Sequence, residues 1–186
     1  MNHKPWLGAV LVCGALIAGC DVMDADTTMM NGAIVLKDKQ VVLSPANQPK
    51  AAIDSSGNLT IDDKTVSVTP AQQALLMAYY MNVVDVHNTG IKMAKAGGKV
   101  AVQALAHAAS TSKEDKAQDA AQELANMSMD ICKDTAGIKT VQDQLGAQLP
   151  AFKPYANIVD NASVDSCVNE AKDDSKDAAG KDDAKS

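Results

Sequence analysis

Arginine is absent from this sequence, and all 17 basic residues are lysine. Arginine's planar fork is the usual clamp for phosphate and carboxylate, so recognition of nucleotides or phosphoryl groups would fall to lysine point charges and backbone amides, which disfavours it. Aromatic residues are scarce, at 3%, and Phe152 is the only phenylalanine. No Cys-x-x-Cys spacing occurs, which argues against a dithiol redox centre. A Gly-x-Ser-x-Gly elbow, a phosphate-cradling glycine loop and a histidine-glutamate metalloprotease string are also missing. Beyond the first few residues the histidines are His87 and His107, and neither has a His, Cys or Glu at the helical spacing of a zinc site. The reading is of a chain with no catalytic residues, no metal and no cofactor. An enzyme with an unfamiliar site would have to draw on His87 or His107 with nearby carboxylates. Asp85 lies two positions from His87, where helical side chains point to different faces.

The 23 acidic residues leave a formal charge of −6. That sign disfavours nucleic acid as a partner, and none is expected; it also disfavours broad contact with anionic lipid headgroups. With 46% apolar residues in 186, the chain can bury one core and is read as a single domain.

Long apolar runs are lacking except at the start. Met1 to Lys4 is short and basic, and Leu7 to Ala18 is apolar, interrupted only by glycine. The run is shorter than the roughly 20 residues a spanning helix needs, and it has the length of a secretory core. It ends Leu16-Ile17-Ala18-Gly19-Cys20, which resembles the bacterial lipobox. The resemblance implies cleavage before Cys20, diacylglycerol on its thiol and a fatty acid on the new amino terminus. The alternative is an ordinary signal peptide in which Cys20 is incidental. Residues 1–19 are thus read as a lipoprotein signal peptide, and the body as lipid-anchored on the periplasmic face of a membrane. Removing the leader with its single Lys4 takes the formal charge from −6 to −7. Asp21 resembles the signal that retains lipoproteins in the inner membrane of enteric bacteria; inner against outer membrane stays open.

Residues 20–32 read as a flexible polar tether. From Ala33 the texture becomes β-prone. Ala33 to Leu36 and Val41 to Leu43 flank a turn at Lys37 to Gln40, and Ala51 to Ile53, Leu59 to Ile61 and Val66 to Val68 complete a small antiparallel meander. Thr69-Pro70-Ala71-Gln72 announces a helix, with Thr69 as cap, Pro70 at the first position and Gln72 closing a capping box. Leu75, Leu76, Tyr79, Val83, Val86 and Ile91 supply its apolar stripe. Of the adjacent Tyr79 and Tyr80, one is expected in the core and one at the rim, where Tyr80 could anchor an interface.

Gly97-Gly98 is expected to bend or end this helix. An alanine-rich stretch follows, whose neighbours Lys92, Lys95 and Lys99 argue for soluble packing over a membrane-active helix. Thr111 to Glu114 starts another helix, carrying Ala117, Ala121, Leu124, Met127 and Ile131. Gly137 is expected to break it before a shorter piece, Ile138 to Leu149. A brief helix over Ile158 to Ala171 closes the domain at 33–171. Residues 172–186, built of Asp, Lys, Ala, Ser and Gly, read as a disordered tail. The fold class is α+β, a small N-terminal antiparallel meander followed by a mainly helical body.

Cys13 belongs to the leader and Cys20 to the lipid, which leaves Cys132 and Cys167 to form a disulfide in an oxidising compartment. A redox pair is the alternative, disfavoured by the spacing.

The segment Gly57 to Lys64, running through Val66-Ser67-Val68-Thr69-Pro70-Ala71-Gln72 to Tyr79-Tyr80, resembles the YggN-like family of uncharacterised proteobacterial periplasmic proteins. Cys132 and Gln148 to Tyr155 share the likeness, which spans about Ile34 to Val168. It implies a short β region ahead of a long helical one, and no activity. The absence of arginine departs from the basic helices associated with such proteins. Two roles fit these readings: a non-enzymatic envelope module that binds or scaffolds an envelope protein, or an immunity or inhibitor lipoprotein whose acidic body blocks a basic toxin or hydrolase.

Overall fold

The computed structural model describes residues 26–107 and 115–179. The leader, Cys20, Asp21 and the Thr111 to Glu114 capping box lie outside the described residues.

Six antiparallel strands form one meander in chain order: β1 (Thr27–Met29), β2 (Ile34–Lys37), β3 (Gln40–Leu43), β4 (Ala51–Asp54), β5 (Leu59–Ile61) and β6 (Lys64–Thr65). Two hairpins are closed by two-residue turns, Asp38-Lys39 and Asp62-Asp63, with positive φ at all four residues. That backbone twist matches the twist of paired strands. Between β4 and β5, Asp54 Oδ1 accepts hydrogen bonds from the backbone N–H groups of Ser56 and Asn58, each at 2.9 Å. The register aligns Ile34 with Leu43, Val41 with Ile53 and Ile53 with Leu59. Alternation therefore puts these side chains on one face, and all are fully buried.

Three helices follow: α1 (Pro70–His107), α2 (Asp115–Gln148) and α3 (Asn161–Ala179), with a 3₁₀ segment at Pro150–Tyr155 between α2 and α3. The capping box forms as the sequence implied: Gln72 N–H donates to Thr69 Oγ1 at 3.3 Å, and Thr69 N–H donates to Gln72 Oε1 at 2.9 Å. Gln72 Nε2 also donates to the Gln148 carbonyl at 2.7 Å, joining the start of α1 to the end of α2. Leu76, Tyr79, Val83 and Val86 bring α1 onto the sheet, and Ile138, Leu145 and Leu149 bring α2 into the same core. Phe152 sits between Tyr79 and Tyr155, with ring centroids 5.9 and 5.7 Å away. The antiparallel sheet followed by helices is the α+β arrangement read from the sequence.

Five boundaries differ from that reading. The tether assigned to 20–32 ends earlier, because Thr27–Met29 pairs with Ile34–Leu36 and Met29 and Met30 pack on the core. The last strand is Lys64–Thr65, not Val66 to Val68. Its turn starts pairing at Lys64, and after one further bond, Val66 N–H to Leu59 O at 2.9 Å, the chain leaves for the Thr69 cap. Helix α1 continues through Gly97-Gly98, since each glycine costs about 1 kcal/mol of propensity and the flanking alanines and lysines are good helix formers. Helix α2 continues through Gly137, where a Cβ would lie 3.1 Å from the Asn82 side chain, so the glycine serves a close approach to α1. Within α2, Ala121 is exposed, whereas Ala125, Cys132 and Thr135 are buried.

The fifth is the tail. Helix α3 runs to Ala179, eight residues into the 172–186 segment read as disordered. Ala171 and Ala178, seven residues apart on one face, are buried, and Lys176 pairs with Asp173 at 2.9 Å. Packing supplies what the composition lacks.

Candidate functional site

Cysteine chemistry in the folded body is confined to one place. Cys132 on α2 and Cys167 on α3 are bonded, with Cα atoms 5.5 Å apart and a sequence separation of 35. Cys132 is buried and Cys167 half-buried. Asp160 caps the helix that brings Cys167 in: its Oδ1 accepts from Ser163 N–H at 2.7 Å, and these hydrogen bonds hold its carboxyl below the ordinary aspartate range. A buried amide fixes the preceding connection. Gln142 Nε2 donates to the carbonyls of Ala156 and Val159 at 2.9 and 2.8 Å, and its Oε1 accepts from Val159 N–H at 3.0 Å. With every group satisfied, the amide acts as a clamp.

His87 is not brought to a carboxylate pair. It is half-buried and shares a hydrogen bond between its Nδ1 and Thr27 Oγ1, so α1 holds the edge strand. Asp85 turns the other way, toward α2. There Asp134 is held above the ordinary aspartate range, first by burial and then by the charges of Asp85 and Asp130, with Lys133 opposing. The side chain of His107 lies outside the described residues. Among the described residues, no group of three or more His, Cys, Asp or Glu is placed to hold a metal ion. No helix there is long and apolar enough to cross a membrane.

Tyr79 is fully buried and its hydroxyl has no hydrogen-bond partner among the described residues, so burial pushes its pKa well up. Tyr80 is half-buried and packs at the core's edge. Among the described residues, the large apolar side chains open to solvent are Met77, 40% exposed, and Met81, 60% exposed. They stand one turn apart on α1. Met77 also lies against the β4–β5 turn: a Cβ on Gly57 would come within 2.8 Å of its Cγ and 2.5 Å of the Gln73 carbonyl oxygen.

A family described as proteins of unknown function, DUF2884, matches residues 27–128, more than half of the chain. The chain belongs to this family. The DUF2884 match begins at the first residue of β1 and takes in the whole sheet, α1 and the first part of α2. Thr27, His87, Met77 and Met81 fall inside it; Gln142, Phe152 and both bonded cysteines fall beyond it. Comparison with curated proteins gave no match, and neither did comparison with solved structures.

Sequence reasoning missed Met77, Met81, Thr27 and Gln142. Uncharged sequence from Pro70 to Val84 was the available signal for the methionines, since a helix with one open face ordinarily carries charge there. No local signal marks Thr27 or Gln142, whose partners lie 60 and 14 to 17 residues away.

Proposed function

We propose that this chain is a lipid-anchored protein of a bacterial cell envelope, attached through Cys20 and facing the periplasm, where it serves as a non-enzymatic module that binds or scaffolds an envelope protein. Within DUF2884 it would stand with the YggN-like periplasmic proteins. One observation carries the reading: Cys132 and Cys167 are joined to each other, so Cys20, at the end of its apolar run and lipobox, is left for the lipid. A disulfide accords with an oxidising compartment outside the cytoplasm. With two or three acyl chains, each buried methylene contributing about 0.8 kcal/mol, attachment would be effectively permanent.

Growth of bacteria expressing the full chain with radiolabelled palmitate tests this directly. The label is expected on the wild type and absent from Cys20→Ser. A mature amino terminus other than residue 20, or an unlabelled wild-type chain, rejects the anchor. Fractionation of the labelled protein decides between inner and outer membrane, and recovery with outer-membrane markers would exclude a retention role for Asp21.

A further inference from the structure

We propose that the outward face of α1, Met77 and Met81 followed by Lys92 and Lys95, lies against the anionic lipid surface to which Cys20 is attached. The inference rests on the anchoring reading above.

Positions 77, 81, 88, 92 and 95 recur at three, four and seven residues and so share one side of α1. All five are exposed. The first part of this side is apolar, and Pro70 to Val84 contains no charged residue. The second part is basic: from Val86 to Ala106 the sequence has lysines and no carboxylate. Asp85, between the two parts, is also exposed and lies four residues after Met81 and seven before Lys92, so this side carries one carboxylate, on the flank toward Asp134 of α2. This is the division of a helix that lies flat in a bilayer interface, with thioethers among the acyl chains and ammonium groups at the phosphates. The net charge, −7 once the leader with Lys4 is removed, disfavours broad contact with such a surface, but charges more than about 8 Å away are largely screened at physiological salt, so the local sign decides for this narrow strip.

The route of the chain selects lipid over other occupants. Strand β1 is an edge strand, and its first residue, Thr27, is bonded to His87. His87 lies between Met81 and Lys92, about 9 Å along the axis from the one and about 7.5 Å from the other at 1.5 Å per residue. Cys20 is seven residues before Thr27, and at most about 3.6 Å per residue keeps its backbone within roughly 25 Å of that point in any conformation. An anchor at Cys20 therefore keeps the middle of α1 within that reach of the bilayer. α2 and α3 expose charges of both signs, among them Lys133, Asp143, Asp165 and Lys172.

The test uses the full acylated chain in vesicles of phosphatidylethanolamine and phosphatidylglycerol that carry a phospholipid with a photoactivatable acyl chain. Trypsin then yields peptide 65–92, which holds Met77 and Met81, and peptide 140–172 from the charged side. Lipid adducts are expected about tenfold more often on 65–92, the factor that burying one apolar side chain confers. Met77→Asp with Met81→Asp should abolish that excess, while Met77→Leu with Met81→Leu should keep it. Lys92→Glu with Lys95→Glu, in which the corresponding tryptic peptide runs 65–99, should lower it only when phosphatidylglycerol is present. Equal labelling of both peptides on a chain whose Cys20 peptide is acylated overturns this inference and leaves the anchor standing. An unacylated Cys20 peptide overturns both. In cells, a photoreactive amino acid at position 81 should cross-link to lipid, and capture of a protein there instead overturns the lipid assignment.

Discussion

Two buried tyrosines in one aromatic cluster have opposite hydrogen-bond standing, and that difference is measurable. Tyr155 donates to the Pro49 carbonyl at 2.8 Å and ties the 3₁₀ segment to the β3–β4 loop, whereas the Tyr79 hydroxyl is buried without a partner among the described residues. Removing a partnered hydroxyl forfeits its bond and strands the acceptor, at about 1–2 kcal/mol; removing an unpartnered one relieves its desolvation. Tyr155→Phe should therefore lower the urea midpoint of unfolding, and Tyr79→Phe should leave it unchanged or raise it. The Asp54 carboxylate has a matching pH signature. Burial pulls its pKa up, but hydrogen bonds from the Asn58 side chain and the backbone of Asn58 and Ser56 outweigh this and set it below the ordinary value. A depressed carboxylate contributes stability that is present above the unfolded pKa, about 4, and is lost as pH falls through the folded one. Wild type should exceed Asp54→Asn by a few tenths of a kcal/mol at neutral pH, a modest figure because solvent screens the group. The gap should close below pH of about 4 in denaturant titrations.

At the scale of the element, glycine is the residue whose meaning only packing reveals. Gly146, in the last turns of α2, would place a Cβ 2.5 Å from the Cβ of Ala156. Gly146→Ala gains about 1 kcal/mol of helix propensity but overpacks this crossing at a cost of about 1–3 kcal/mol. The expected outcome is a net loss in thermal stability; an increase would show that the segment after α2 yields easily. The same distinction separates what could be read from the chain from what could not. The Thr69-Gln72 box was legible because its donors and acceptors are three residues apart, and strands β2 to β5 because alternation is local. Thr27–Met29 was not legible, because three residues become a strand only when β2 and His87 receive them. Gly137 in α2 looked like punctuation because the Asn82 contact that employs it comes from far along the sequence. Of the surface on α1, the lysines were noticed and the methionines were not, since a stripe scored for its buried side says nothing of the open one.

For the whole molecule, the disulfide decides how firmly the last helix belongs to the fold. Helix α3 packs chiefly against α2, and its buried side chains are small: Ala171 and Ala178, with Val164 at the margin of the main core. Its other holds are the Asp160 cap and the Gln142 clamp at its entrance. Closing a 35-residue loop stabilises by about 4 kcal/mol in the chain-entropy model, comparable with a large part of a typical domain's stability. Reduction should therefore lower the stability of the whole domain by up to about that amount. It should also uncouple the parts, because nothing of comparable strength replaces the bond. In hydrogen exchange, amides of 161–179 are expected to lose protection first on reduction, while those of β2 to β5 keep exchanging only with global unfolding. Cys132→Ser with Cys167→Ser should behave like the reduced chain. If α3 instead keeps the protection of the sheet after reduction, then alanine packing on α2 is sufficient by itself, and the bond contributes to durability more than to the architecture.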